Sequence, residues 1–243
     1  MRFSLNGIIS SDEDARVWKF FGWRAVCPAD IRAALSGNTD DEFVVEINSG
    51  GGSVYAGFEM YSLLRDASVK TRAEVQSLAG SAASVVLMGA DVAACSPVAQ
   101  VMIHLPSTAT QGNQIVHGQS VQMLNAVTAS IIAGYESKCQ GKTSPEALRK
   151  LMDKETFLTA QQALDMGLID EIIGEGQAVN PMNVMNASGG LPDIEKLRAA
   201  YLEQHQPEPE SESEPESEPQ PENEHRKRVL AIVEATLKTQ EIF

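Results

Sequence analysis

Cysteine is scarce in this 243-residue chain. There are three, Cys27, Cys95 and Cys139, and no C-x-x-C spacing among them. An odd number at wide intervals argues against a disulfide framework and gives no zinc-ligand pattern, so three idle thiols in a reducing compartment are expected. Long apolar runs are missing too. Nothing approaches the roughly 20 residues that cross a bilayer, and Met1 to Asp14 holds no continuous apolar core of a signal peptide. A cytoplasmic protein with no membrane partner is therefore expected. Basic residues are few, 19 Lys and Arg against 33 Asp and Glu, for a net charge of −14. That balance argues against a nucleic-acid partner, which calls for a basic surface.

Much of the acid is local. Residues 206–224 hold eight glutamates and no lysine or arginine. Such a Pro/Glu/Ser stretch buries no apolar surface and repels itself, so disorder is expected there. With 43% hydrophobic residues, the rest suffices for one sizeable core. The expected layout is an N-terminal arm at 1–16, a compact domain at 17–176, a flexible acidic linker with a short helix at 177–224, and an amphipathic C-terminal helix at 225–243.

Strand and helix patterns alternate with short connections through the compact region. Residues 1–17 read as an arm or a first edge strand. The β-branched and aromatic run Val17–Val26 reads as a strand broken at Gly22, and Pro28–Ser36 as a short helix. Strands are expected at Asp41–Asn48, Val69–Ser77, Asp91–Cys95, Val98–His104 and Ile169–Ile173, and helices at Val54–Arg65, after the serines near residue 81, and from Ser144 to about Met152. Asp153–Leu158 reads as an extended link. Thr159-Ala160-Gln161-Gln162 is a capping box. Gln111–Lys138 is one helical pattern longer than usual, part of which projects from the globule or packs on a partner subunit. This is an α/β order.

Three places in that order carry chemistry. Asn48-Ser49-Gly50-Gly51-Gly52-Ser53 is a glycine-rich turn between a strand and a helix, where backbone amides face a ligand. No lysine follows at Walker spacing, so it is not a nucleotide loop. Leu78-Ala79-Gly80-Ser81-Ala82-Ala83-Ser84 places two serines among small residues at a helix start, where free N–H groups and the positive dipole end point outward. His104 ends an apolar strand, the position at which sites assemble in such sheets. Each also has a plainer explanation: a tight turn, a packed turn, a core histidine.

Together the segments resemble the Clp protease family of serine peptidases, and within it the Clp-like head-maturation proteases of tailed phages. Ile47-Asn48-Ser49-Gly50-Gly51-Gly52 matches the family's glycine turn, with Gly50 in place of proline. Gly80-Ser81-Ala82 lies in the nucleophile segment, Val101–Pro106 matches the histidine motif, and Glu155–Ala160 followed by Gly167–Asp170 matches the closing segment. The resemblance covers roughly residues 17–174. It implies a Clp/crotonase-like α/β spiral of ββα units with a long protruding helix, assembled into a homo-oligomeric ring.

It also implies hydrolysis of protein or peptide substrates by Ser81, His104 and an acid, with Gly51 and Ala82 as the oxyanion hole and no metal or cofactor. Ser81 keeps the family spacing from the glycine turn without a gap; Ser84 is the alternative nucleophile and would need three extra residues. The family's aspartate falls at Glu155, with Asp153 as the alternative acid. A phage enzyme of this type would process scaffold or capsid protein, with the C-terminal tail as the docking segment. Other readings are the proteolytic subunit of an ATP-dependent Clp protease, a crotonase-like acyl-CoA enzyme, and a catalytically idle assembly scaffold.

Overall fold

The structure, a computed structural model, describes residues 1–174. In chain order it runs β1 (Arg2–Ile9), α1 (Asp12–Phe20), β2 (Ala25–Val26), α2 (Pro28–Ser36), β3 (Glu42–Gly52), α3 (Val54–Arg65), β4 (Lys70–Gly80), α4 (Ala82–Gly89), β5 (Val92–Cys95), β6 (Gln100–Ile103), α5 (Gln114–Cys139), α6 (Pro145–Met152), β7 (Thr156–Thr159), α7 (Ala160–Asp165) and β8 (Glu171–Ile172). The strands form one sheet in the order β2-β1-β3-β4-β5-β8, all parallel, and the sheet branches at β4. Arg72–Val75 of β4 pair with β5, whereas Leu78–Gly80 pair with β6, which in turn pairs antiparallel with β7. This is the expected α/β fold, a largely parallel sheet with connecting helices.

Register explains the two faces of the sheet. Leu5, Ile47, Val75 and Cys95 lie in one row and Phe3, Val45, Ala73 and Ala93 in another, and most are fully buried in the main core. The intervening rows point the other way, because side chains alternate along each strand. One of these carries Ser4, Glu46, Glu74 and Glu171; the row beside it carries Arg2 and Arg72. Arginines alongside acids give a ladder across the sheet. Arg2 pairs with Glu46 at 2.8 Å and with Glu74, and Arg72 pairs with Glu74 at 2.7 Å and with Glu171. Burial works against ionisation of Glu74, but hydrogen bonds from Arg72 and Arg2 outweigh it and hold the carboxyl below its usual value.

The helices pack tightly where the site lies. Every residue of α4 is buried. A Cβ on Gly89 would stand 2.5 Å from the carbonyl oxygen of Tyr61, so glycine lets α4 approach the backbone of α3. The long helix α5 is 26 residues, about 39 Å at 1.5 Å per residue. Its first turn is capped by Asn113, whose side chain accepts from the N–H groups of Ile115 and Val116. Its buried residues, Val127, Thr128, Ile131, Tyr135 and Cys139, all lie in the second half; Ile115, Val116, Val121 and Met123 in the first half are exposed.

Two expectations are corrected at the N-terminus. Residues 1–17 do not form an arm: Arg2–Ile9 is a strand paired with β3, open along Arg2–Asn6 as an edge strand is, and, among the described residues, covered on its other side only at Ile8 and Ile9 by the two-residue β2. Val17–Phe20 is helical rather than extended. The Ser11 hydroxyl accepts from the N–H of Asp14 at 3.1 Å, and Asp12, Glu13 and Asp14 sit at the positive end of the helix dipole. These start signals outweigh the strand preference of the aromatic run, and a boundary at residue 16 falls inside α1. Smaller differences follow the same pattern. β3 continues through the glycines to Gly52, β4 continues to Gly80, and the extended link after Asp153 becomes the paired strand β7. The linker and C-terminal helix expected at 177–224 and 225–243 lie outside the described residues. Among the described residues, no helix is long and apolar enough to cross a membrane.

Candidate active site

Parallel pairing brings the serine and the histidine together. Gly80 stands beside Met102 in the β4–β6 register, so the residues just beyond them, Ser81 and His104, leave neighbouring strands at the same end of the sheet. Ser81 Oγ and His104 Nε2 are 2.8 Å apart. Ser81 is the residue before α4 and has φ 52° and ψ −123°. A non-glycine residue held there costs on the order of 1–3 kcal/mol. The turn projects the hydroxyl away from the sheet, and the Ser81 N–H is anchored to the carbonyl of Met102 at 2.9 Å.

Ser84 faces elsewhere. It is fully buried, its hydroxyl donates to the Ser81 carbonyl at 2.6 Å, and it lies 2.7 Å from the hydroxyl of Tyr135. Of the two serines, Ser81 is the one in reach of a histidine.

The glycine turn lies against this corner. A Cβ on Gly51 would stand 2.7 Å from the Gly80 carbonyl oxygen, 2.7 Å from Ser81 Cβ and 2.9 Å from the Ala82 nitrogen, and its φ is 101°. Both the close approach and the backbone angle require glycine. The two amides assigned to an oxyanion hole differ in state. The Ala82 N–H, in the first turn of α4, has no acceptor among the described residues. The Gly51 N–H donates to Ser49 Oγ at 3.0 Å, and Ser49 Oγ donates to the Gly7 carbonyl at 2.6 Å. Ser49 was not singled out from sequence; its place two residues before Gly51 is the only signal it leaves there.

The acids stand apart from the imidazole. No hydrogen bond or ion pair joins His104 to Glu155 or to Asp153. Asp153 is taken by Arg149 at 2.9 Å on the surface of α6. Glu155 is exposed, with φ 49°, and its N–H donates to the Met152 carbonyl at 3.2 Å. The antiparallel register pairs Ile103 with Thr156, and His104 and Glu155 are the residues that flank this last pair of the ladder.

A cavity of about 270 Å³ opens beside Ser81 and His104, walled by Val54, Val85, Ile131 and Tyr135. Ile131 and Tyr135 come from α5, and sequence reasoning placed no helix-α5 residue at the site; Tyr135 shows in sequence as one more member of a helical stripe. The three cysteines are buried and unbridged. Burial pushes the Cys95 thiol up to about 11, which keeps it protonated at neutral pH and unreactive as a nucleophile. Among the described residues, no group of three or more His, Cys, Asp or Glu side chains clusters to hold a metal ion.

A parallel α/β sheet with a strained serine, a histidine and a glycine turn at the strand ends is the frame of a hydrolytic enzyme. The family model for Clp protease matches residues 29–176. The chain is 30% identical over 140 residues to the ATP-dependent Clp protease proteolytic subunit of Pleurastrum terricola, covering 55% of this chain and 68% of that protein. It is 31% identical over 134 residues to the ATP-dependent Clp protease proteolytic subunit of Bacteroides fragilis strain YCH46, covering 53% and 59%. It is also 26% identical over 156 residues to subunit 1 from Salinibacter ruber, covering 62% and 64%. The chain thus spans about 59–68% of the length of these curated relatives. It belongs to the Clp protease family, and so to the proteases.

Proposed function

We propose that the chain is a serine endopeptidase of the Clp type, with Ser81 as nucleophile, His104 as general base and Glu155 as the acid. The carrying observation is the 2.8 Å contact between Ser81 Oγ and His104 Nε2 at a strained turn. In this reading Ser81 donates its proton to Nε2 as it attacks the carbonyl, and His104 then passes that proton to the leaving amine. Glu155 is favoured over Asp153 because it directly precedes Thr156, the partner of Ile103 beside His104, while Asp153 is paired with Arg149. Its role is to accept from Nδ1, fixing the tautomer and compensating the imidazolium. That contact needs the Glu155 side chain to swing toward the ring, which its exposure permits.

Ala82 and Gly51 are the donors assigned to the oxyanion. One such donor supplies about 3–4 kcal/mol of transition-state stabilisation. Ala82 N–H is available; Gly51 N–H must leave Ser49 Oγ, or share itself, as the oxyanion forms. The apolar walls of the 270 Å³ cavity suit a substrate side chain of leucine or methionine size next to the scissile bond.

The reading extends to assembly and substrate. The exposed apolar residues of the first half of α5, Ile115, Val116, Val121 and Met123, suit a contact between copies, so a homo-oligomeric ring is proposed. The proposed substrate is scaffold or capsid protein of a phage head, with the acidic tail beyond residue 177 as docking segment. A second reading, the proteolytic subunit of an ATP-dependent protease, is favoured by the names of the relatives.

The deciding experiment is labelling of the purified full chain with a fluorophosphonate, alongside casein cleavage. Labelling and cleavage are expected to vanish in Ser81→Ala and to remain detectable, though slower, in Ser84→Ala. Labelling that survives Ser81→Ala would overturn the assignment. Deleting residues 190–243 separates the two substrate readings. Casein cleavage retained with loss of capsid processing supports the head-maturation role; unchanged capsid processing refutes the docking segment.

A further inference from the structure

Ser81 occupies a backbone conformation that does not hold itself. Its N–H is tied by Met102, and its carbonyl is tied twice by Ser84, through the N–H at 3.0 Å and through Oγ at 2.6 Å. The directions of these bonds follow from proton counting. A carbonyl only accepts, so the single proton of the Ser84 hydroxyl points at Ser81. The Tyr135 hydroxyl, 2.7 Å from Ser84 Oγ, must then be the donor in that contact. Both side chains are shut off from water, Ser84 at 0% exposure and Tyr135 at 1%. A buried hydroxyl without a partner is costly, so the contact is strongly enforced.

The carbonyl of Ser81 and the N–H of Ala82 belong to one peptide unit. In a trans peptide they point in opposite directions. Whatever fixes the carbonyl therefore aims the amide, and that amide is the unpaired donor beside Ser81 Oγ.

Resting on Ser81 as the nucleophile, we propose that Tyr135 and Ser84 are positioning residues for catalysis. They form a relay from α5, Tyr135 O–H to Ser84 Oγ and Ser84 O–H to the Ser81 carbonyl, that orients the Ala82 N–H toward the oxyanion. Tyr135 also walls the cavity beside Ser81, so the seating of the long helix sets both the pocket and the amide. The relay acts when negative charge develops on the substrate oxygen. Its loss therefore lowers kcat and leaves KM in place.

The test uses the full-length chain with a fluorogenic peptide carrying leucine before the scissile bond, and a peptide boronate as the tetrahedral mimic. Tyr135→Phe is expected to lower kcat about 3–10-fold and Ser84→Ala about 10–100-fold, each with KM within about twofold, as loss of oxyanion-directed hydrogen bonds does. Boronate affinity falls in step with kcat/KM. Tyr135→Phe combined with Ser84→Ala is no slower than Ser84→Ala alone, because one relay is cut twice.

Wild-type kcat and boronate affinity in both variants overturn the relay while the serine assignment stands, as reported by fluorophosphonate labelling of Ser81. Activity that falls only with the folded fraction by circular dichroism, or with a matching rise in KM, assigns the pair to packing and overturns it too. A wild-type chain that takes no fluorophosphonate and cleaves nothing removes the serine assignment and the relay together. If Ser84→Ala does not fold, Tyr135→Phe decides alone, since it removes one oxygen and opens no cavity.

Discussion

Helices α4 and α5 meet at Ser81 and are built on opposite terms. The first is eight residues long and wholly buried; the second is 26 residues long and buries five. A buried helix has one packing solution, because interior contacts leave no slack, so α4 holds the strained serine in one place. A helix anchored along one stripe at one end leaves the other end free for a partner. The contrast teaches that the same corner of the molecule combines a rigidly packed seat for Ser81 with a helix that reaches the surface, and the Tyr135 hydroxyl joins the two through Ser84.

The sharpest way to break this comparison is at the seat itself. Ser81→Ala or His104→Ala is expected to cut peptide hydrolysis by about 10⁴-fold or more with little change in folding; a smaller loss in the steady-state rate would place the chemistry elsewhere. Next in size is packing. Leu87→Ala in α4, at a fully buried position, should lower unfolding free energy by about 2–5 kcal/mol in urea titration. A loss below 1 kcal/mol would mean that α4 is not rigidly packed.

The charged face of the sheet provides an intermediate case. Glu74→Gln is expected to cost about 1.5–3 kcal/mol at pH 7, the range for hydrogen bonds to a charged group. The folded-state pKa of Glu74 is depressed, so its stabilisation is present above about pH 4.5, the ordinary carboxyl value, and is lost as pH falls through the depressed one. The gap between wild type and variant should therefore close on acidification, and a gap that widens contradicts the ladder. The smallest effect on the fold belongs to the free half of α5. Val121→Ser is expected to change stability of the subunit by less than about 0.5 kcal/mol. It should nonetheless reduce the assembled mass seen by light scattering if that face joins copies.

Much of the fold was legible because local signals agreed with tertiary ones. Pro145 after the Ser144 cap, the Thr159–Gln162 capping box and the Gly167 stop each mark an element boundary that the structure keeps. The glycine turn, Ser81 and His104 became legible as a set through the resemblance to the Clp family; strand ends alone marked them only as places where sites assemble. The N-terminus was misread because Val17–Val26 has strand-like composition, whereas the helix there is decided by the Ser11 cap and by burial of Ala15. Glu155 was placed by motif; the ladder between β6 and β7 ends one residue short of it and of His104, and no hydrogen bond joins the two.

The chain by itself determined which residues stand at strand ends and helix starts, since alternation, caps and glycine spacing are written in neighbours. The resemblance to the Clp family added the preference for Ser81, which keeps the family's distance from the glycine turn. Only the tertiary structure decided that Ser84 is buried and bonded to the Ser81 carbonyl, that the Gly51 amide donates to Ser49, and that a tyrosine 51 residues beyond Ser84 meets its hydroxyl. Those are matters of which hydroxyl meets which acceptor once water is excluded. Nothing in a sequence pattern records the direction of a hydrogen bond between residues that meet only when the core closes.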